Sequence, residues 1–119
     1  MTIATRATWK HLPMPAKRQA LYLALSFDAD EVECIRRGFI PRDMDDKWSI
    51  FLEDDWLYFH RSWTGFCIFA VRLEPAANGV VIREGWASRD PEQYHGSSAA
   101  EEQRQIAALI DSLLHSRKG

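Results

Sequence analysis

Three tryptophans, a histidine and an arginine crowd into residues 45–65, DDKWSIFLEDDWLYFHRSWTG. Trp and Arg combine large contact area with directional hydrogen bonding, so this concentration reads as a recognition surface. Its sharpest part is Arg61-Ser62-Trp63-Thr64-Gly65. There a planar guanidinium, whose fork suits phosphate or carboxylate, stands beside two hydroxyls and an indole. Such a loop can stack a ring on Trp63 while Arg61 holds the ring's acidic group. The competing reading is structural: a tight hairpin with Trp63 folded back on the sheet and Arg61 neutralised by Asp45 or Asp46.

Asp45-Asp46-Lys47-Trp48 is the second cluster. If Asp54-Asp55 is a two-residue hairpin loop, Trp48 falls opposite Arg61 and a cation–π contact becomes geometrically available. The expected binding residues are therefore Asp45, Lys47, Trp48, Arg61, Ser62, Trp63 and Thr64. His60, with Asp46 or Glu84 to orient it, is a candidate general base. A lone sheet histidine is more often a satisfied, part-buried side chain, and alternation points His60 away from Arg61. The balance therefore leans away from an enzyme, with His60 and Asp46 the only catalytic candidates.

Other chemistries lack their residues. His11, His95 and His115 stand far apart, and no His/Cys/Asp grouping has metal-ligand spacing, so neither a metal nor another cofactor is expected. There is no G-x-G-x-x-G, phosphate-loop or G-x-S-x-G pattern. A net charge of −2 gives no general pull towards nucleic acid, and the acidic segment beside the aromatic sheet argues against single-stranded bases.

Charge is uneven along the chain. Residues 1–27 carry four Lys or Arg and no acid, whereas residues 28–55 carry ten acids against four bases. Pairing of the basic arm with the acidic segment inside the fold is favoured over a partner-binding tail. The first 14 residues lack the apolar core of a signal peptide, and no run approaches the roughly 20 apolar residues that span a bilayer. A soluble cytoplasmic protein without membrane contact is expected. Cys34 and Cys67, in a helix and an apolar strand, read as buried free thiols.

A chain of 119 residues supports one modest core, hence a single domain with an N-terminal arm over 1–14, a sheet over 47–88 and a helix over 98–116. Pro13 and Pro15 suit entry into a helix over 16–25, although Leu21, Leu23, Leu25 and Phe27 alternate as a strand would. Asp28 or Asp30 caps a short helix with acids in its first turn and Gly38 after its end. Residues after Pro41 lead through Met44 into four antiparallel strands, 48–53, 56–61, 66–74 and 80–87. Ser98 and Glu101 form a capping box for the last helix. Its apolar stripe runs through Ile106, Leu109, Ile110, Leu113 and Leu114, and Arg117 and Lys118 sit near its negative end. The fold class is α+β: a four-stranded antiparallel meander with N-terminal helices and a C-terminal amphipathic helix packed on it.

Unbroken pairing sorts Phe51, Tyr58, Cys67, Phe69, Val71, Leu73, Val80 and Ile82 onto one face with Trp56 and Trp86. Ile50, Leu52, Leu57, Phe59, Ile68 and Ala70 fall on the other, with Trp48, Arg61, Arg72 and Arg83. Both faces are apolar, so both need cover. A homodimer or a docked protein partner is one way to supply it.

The strings Ile40-Pro41…Met44-Asp45-Asp46-Lys47-Trp48 and Trp56-Leu57-Tyr58-Phe59-His60-Arg61-Ser62-Trp63-Thr64-Gly65, with Asp90-Pro91-Glu92-Gln93-Tyr94, resemble a family of small bacterial proteins of unestablished function. These share DKW and LYFHRSWTG segments. The resemblance covers about residue 28 to the C-terminus. It implies an association with bacterial ADP-ribose-handling genes, which favours a nucleotide-like ligand, and it carries over no catalytic residue. The expected protein is a bacterial accessory or regulatory binding module for an anionic small molecule or a protein partner. A small enzyme on a phosphate- or ribose-bearing substrate and a structural subunit are the alternatives.

Overall fold

Residues 18–28 form a strand, not the helix their Ala- and Leu-rich composition favours. The computed structural model describes residues 3–43 and 45–115; Met44, Arg117 and Lys118 lie outside the described residues. The elements are β1 (Arg18–Asp28), α1 (Ala29–Arg37), β2 (Trp48–Glu53), β3 (Trp56–Arg61), β4 (Cys67–Ala76), β5 (Gly79–Ser88) and α2 (Ala99–His115). The architecture is α+β, with one antiparallel five-stranded sheet in the order β1-β5-β4-β3-β2. The expected four-stranded meander over 47–88 is thus extended by β1, and a single helix precedes β2 where two were expected. Helix propensities differ by only tenths of a kcal/mol among such residues. Pairing with β5 from Arg18↔Ser88 to Asp28↔Gly79 outweighs that preference and sends Leu23, Leu25 and Phe27 towards the core.

Asp28 ends β1 and caps α1: its side chain accepts from the Glu31 N–H, and the Glu31 carboxylate accepts from the Asp28 N–H. Gly38 closes the helix at φ 63°, where a Cβ would lie 2.2 Å from the Ile50 carbonyl oxygen. Only glycine lets the chain approach β2 so closely, and Phe39 then bridges Ile50 outside the sheet edge. Asp54 and Asp55, both at positive φ, make the two-residue loop that aligns Trp48 with Arg61.

Past that hairpin, the expected faces change. Phe59 opposes Phe69 while His60 opposes Cys67, so Ile68 is one residue more on β4 than β3 can match. A single extra residue moves all later side chains to the opposite face. Phe69, Val71, Leu73 and Ile82 therefore join Ile50, Leu57 and Phe59, not Phe51 and Tyr58. Ala70 and Arg72 move the other way, onto the side of Tyr58 and Trp56.

The first of these faces is the core. Ile35 of α1 and Ile106, Ile110 and Leu113 of α2 close over Leu21, Leu57, Phe59, Phe69 and Val71, all fully or almost fully buried. Ser98 caps α2 by accepting from the Glu101 N–H. The other face is half covered by the N-terminal arm. Its Ala4 N–H donates to the Arg37 carbonyl, and its Leu12 N–H donates to the Gly65 carbonyl, each at 2.8 Å. Between those ties Arg6 pairs with Glu53 and lies over the Phe51 and Tyr58 rings. The basic arm thus does meet the acidic segment within the fold. The rest of this face is open: Tyr22 is 75% exposed, and Trp56 and Trp86 are half-buried. Both cysteines are buried thiols outside any disulfide, and burial pushes the Cys67 thiol up to about 12. Among the described residues no helix is long and apolar enough to cross a membrane.

Candidate functional site

β2 enters the sheet where β3 leaves it, so the Asp45–Trp48 segment and the 62–65 loop meet at one end. Two backbone-directed bonds tie them: the Ser62 N–H donates to the Lys47 carbonyl at 2.9 Å, and the Ser62 hydroxyl to the Asp46 carbonyl at 2.6 Å. The Trp9 indole N–H donates to the Ser62 carbonyl at 2.7 Å and braces the loop from the arm. Gly65 turns the chain at φ 81°, where Lys10 packs so closely that a Cβ would fall 2.9 Å from its Cγ. Ser62 is thus buried as a rivet of the scaffold, not presented to a ligand. The Thr64 hydroxyl accepts from the Phe66 N–H and shapes the same turn.

On this scaffold sit two stacked cation–ring pairs. The Arg61 guanidinium lies 4.9 Å above the Trp48 ring, and Lys47 Nζ lies 5.5 Å from the Trp63 ring centre. Trp48 is held from the core side by Phe69, whose ring is nearly parallel to it at 5.9 Å. Trp63 is 63% exposed, so it does not fold back into the sheet. Lys47, Arg61, Trp63, Thr64, Phe66 and Gln93 line a cleft of about 270 Å³ without an acidic side chain. Neither Arg61 nor Lys47 makes a salt bridge among the described residues.

The expected neutralisation of Arg61 by Asp45 or Asp46 is therefore not what forms. Asp46 turns instead to Arg42, accepting from its backbone N–H at 2.9 Å and its Nε at 3.3 Å. The Arg42 backbone bond, followed by its side chain, holds the Asp46 carboxyl below its usual range. Asp45 and Asp46 line a separate hollow with Phe39, Trp48 and Leu109.

His60 lies on the opposite face, 1% exposed, and its Nε2 donates to the Leu12 carbonyl at 2.9 Å. Its ring packs against those of His11, Phe51 and Tyr58, none of them a carboxylate. Burial, then the nearby His11, lowers its pKa to about 4. A base enclosed in this way cannot reach a substrate, so the geometry set for an acid–base His60 with Asp46 or Glu84 is absent. No group of three or more potential metal ligands occurs among the described residues.

Sequence reasoning missed Gln93, which reaches the cleft from the segment before α2, a stretch with no periodicity that would have placed it. Trp9, whose size suits it to anchor the arm to the body, does so at this loop. Compared with known proteins, the chain matches no protein-family model, no curated protein and no solved structure.

Proposed function

We propose that this end of the sheet binds a small anionic ligand carrying a flat ring, and that the protein is a bacterial accessory or regulatory module, not an enzyme. One observation carries the reading. Lys47 and Arg61 line a cleft without an acidic side chain, each lying over an indole, and neither makes a salt bridge among the described residues. Cations kept without an ion pair and beside exposed aromatic surface suit a phosphate or carboxylate joined to a stackable base. A nucleotide or an ADP-ribose-like molecule has both parts. Arg61 supplies the fork for the anion, Lys47 a second point charge, and Trp63 the stacking surface.

Calorimetry with ADP-ribose, NAD, nucleoside mono- and diphosphates and inorganic phosphate tests this directly. Saturable binding of a ring-bearing anion, weakened at least tenfold in Arg61→Ala, is the expected result. A charge-assisted bond of this kind contributes about 1.5–3 kcal/mol. Unchanged affinity in a folded Arg61→Ala protein, or no binding by any of these compounds, refutes it.

A further inference from the structure

The two edges of the sheet are treated differently. β2 is six residues long, bridged outside by Phe39 and strapped by the arm through Arg6 and Glu53. β1 is 11 residues long and ends the strand order, with no strand beyond it among the described residues. Its inner nine residues, QALYLALSF, contain no charge and no proline. Proteins normally blunt an exposed edge with lysine, proline or a short strand, because unpaired backbone groups there recruit another strand. The bulge between Tyr22 and Leu25 is the only such device here.

We infer that β1 is a dimer interface, pairing antiparallel with β1 of a second copy of this chain about a two-fold axis at Leu23. The sequence is self-complementary in that register. Arg18 falls opposite Asp28 of the second copy, Leu21 opposite Leu25, and Tyr22 opposite Ala24, while Leu23 meets itself on the axis. The charged ends attract, and Asp30 and Glu31 at the start of α1 lie close in sequence to that acidic end. Arg18 and Asp28 are both exposed in the single chain, as are Tyr22 and Ala24. The bulge lies on the axis, so the regular segments on either side of it, 18–21 and 25–28, carry the ladder, with Tyr22 and Ala24 meeting next to the axis. A two-fold normal to the sheet would join the two sheets into one of ten strands with both Tyr22 rings on the same side.

Sedimentation of the full chain from about 1 to 100 μM reads the outcome. Twice the 13.8 kDa chain mass is expected for the native protein, and the single mass for Ala24→Lys and Tyr22→Lys with unchanged circular dichroism. Arg18→Asp, which sets like charges at both ends of the pairing, weakens association at least tenfold. Backbone amides of β1 exchange more slowly at the high concentration than at the low one, which requires no variant to fold. A native protein of single mass at the highest concentration overturns the proposal, as does a dimer that survives both lysine variants. Arg18→Asp with native dimer affinity overturns the register. The anion cleft lies at the far edge, on β2 and β3, so calorimetry on Ala24→Lys separates failure here from failure of the binding site.

Discussion

The rings of His11 and His60 lie 4.5 Å apart, centre to centre and tilted by 58°, beneath the N-terminal arm. Each is fixed by its partners. His11 donates from Nδ1 to the Arg6 carbonyl and accepts at Nε2 from the buried Ser49 hydroxyl, at 2.8 and 2.7 Å. His60 donates from Nε2, which leaves its Nδ1 buried with no hydrogen-bond partner among the described residues. A second proton there would have no acceptor and would face His11 and the Arg6 guanidinium. Burial is the main cause that lowers the pKa of both rings, that of His60 to about 4.

The arm is consequently acid-labile. Both histidines bind protons more readily in the unfolded chain, so their contribution to stability is complete above about pH 6.5 and is lost as pH falls towards 4. For His60 the loss is on the order of 3 kcal/mol. Urea midpoints measured between pH 7 and 4 should fall steadily. In His60→Gln, which keeps a donor for the Leu12 carbonyl but cannot titrate, the slope should be clearly shallower. Equal slopes in the two proteins would place the acid sensitivity elsewhere.

Trp48 and Trp63 share one site but should separate stability from binding. Trp48 is half-buried and stacked on Phe69, so Trp48→Ala opens a cavity against the core and costs about 2–3 kcal/mol in urea unfolding. Trp63 is mostly in solvent, and Trp63→Ala should shift stability by no more than about 0.5 kcal/mol. Its loss should nonetheless weaken a ring-bearing anion severalfold and leave inorganic phosphate affinity almost unchanged. Equal weakening of both ligands would mean that no ring stacks on that indole.

The meeting of the DKW segment with the HRSWTG loop was legible because a two-residue loop leaves only one register, and Trp48 opposite Arg61 follows from counting. The faces of β4 and β5 were not legible. Cys67-Ile68-Phe69-Ala70-Val71 is apolar throughout, so no alternation reveals that Ile68 is the inserted residue. β1 carried the strand signal in Leu21, Leu23, Leu25 and Phe27, but its decisive partner, β5, lies more than fifty residues away. The arm has no period at all, so His11 could not be set against His60. In α2 a signal was present and unused. Glu102 stands four residues before Ile106, on the apolar stripe itself, which marks an acid that must be buried with a partner.

That partner is Arg89, at the end of β5. Its two terminal nitrogens meet the two Glu102 carboxylate oxygens at 2.8 and 2.6 Å, and the Tyr94 hydroxyl donates to the same carboxylate at 2.8 Å. Glu102 is fully enclosed, whereas Arg89 keeps some contact with solvent. The two substitutions are therefore unequal. Arg89→Ala strands a carboxylate in the interior and should cost about 3–5 kcal/mol in urea unfolding. Replacing both residues together, Arg89→Met with Glu102→Leu, removes the charge with its partner and should cost markedly less than Arg89→Ala alone. If the double variant is the less stable of the two, the bridge contributes through attraction and not merely by sparing a buried charge. The segment between them, which brings Gln93 to the anion cleft, is held at both ends by this network. Arg89→Ala should accordingly also weaken ligand binding at a temperature where the protein is still folded, with Glu102→Gln doing so less because it retains an acceptor for Arg89 and Tyr94.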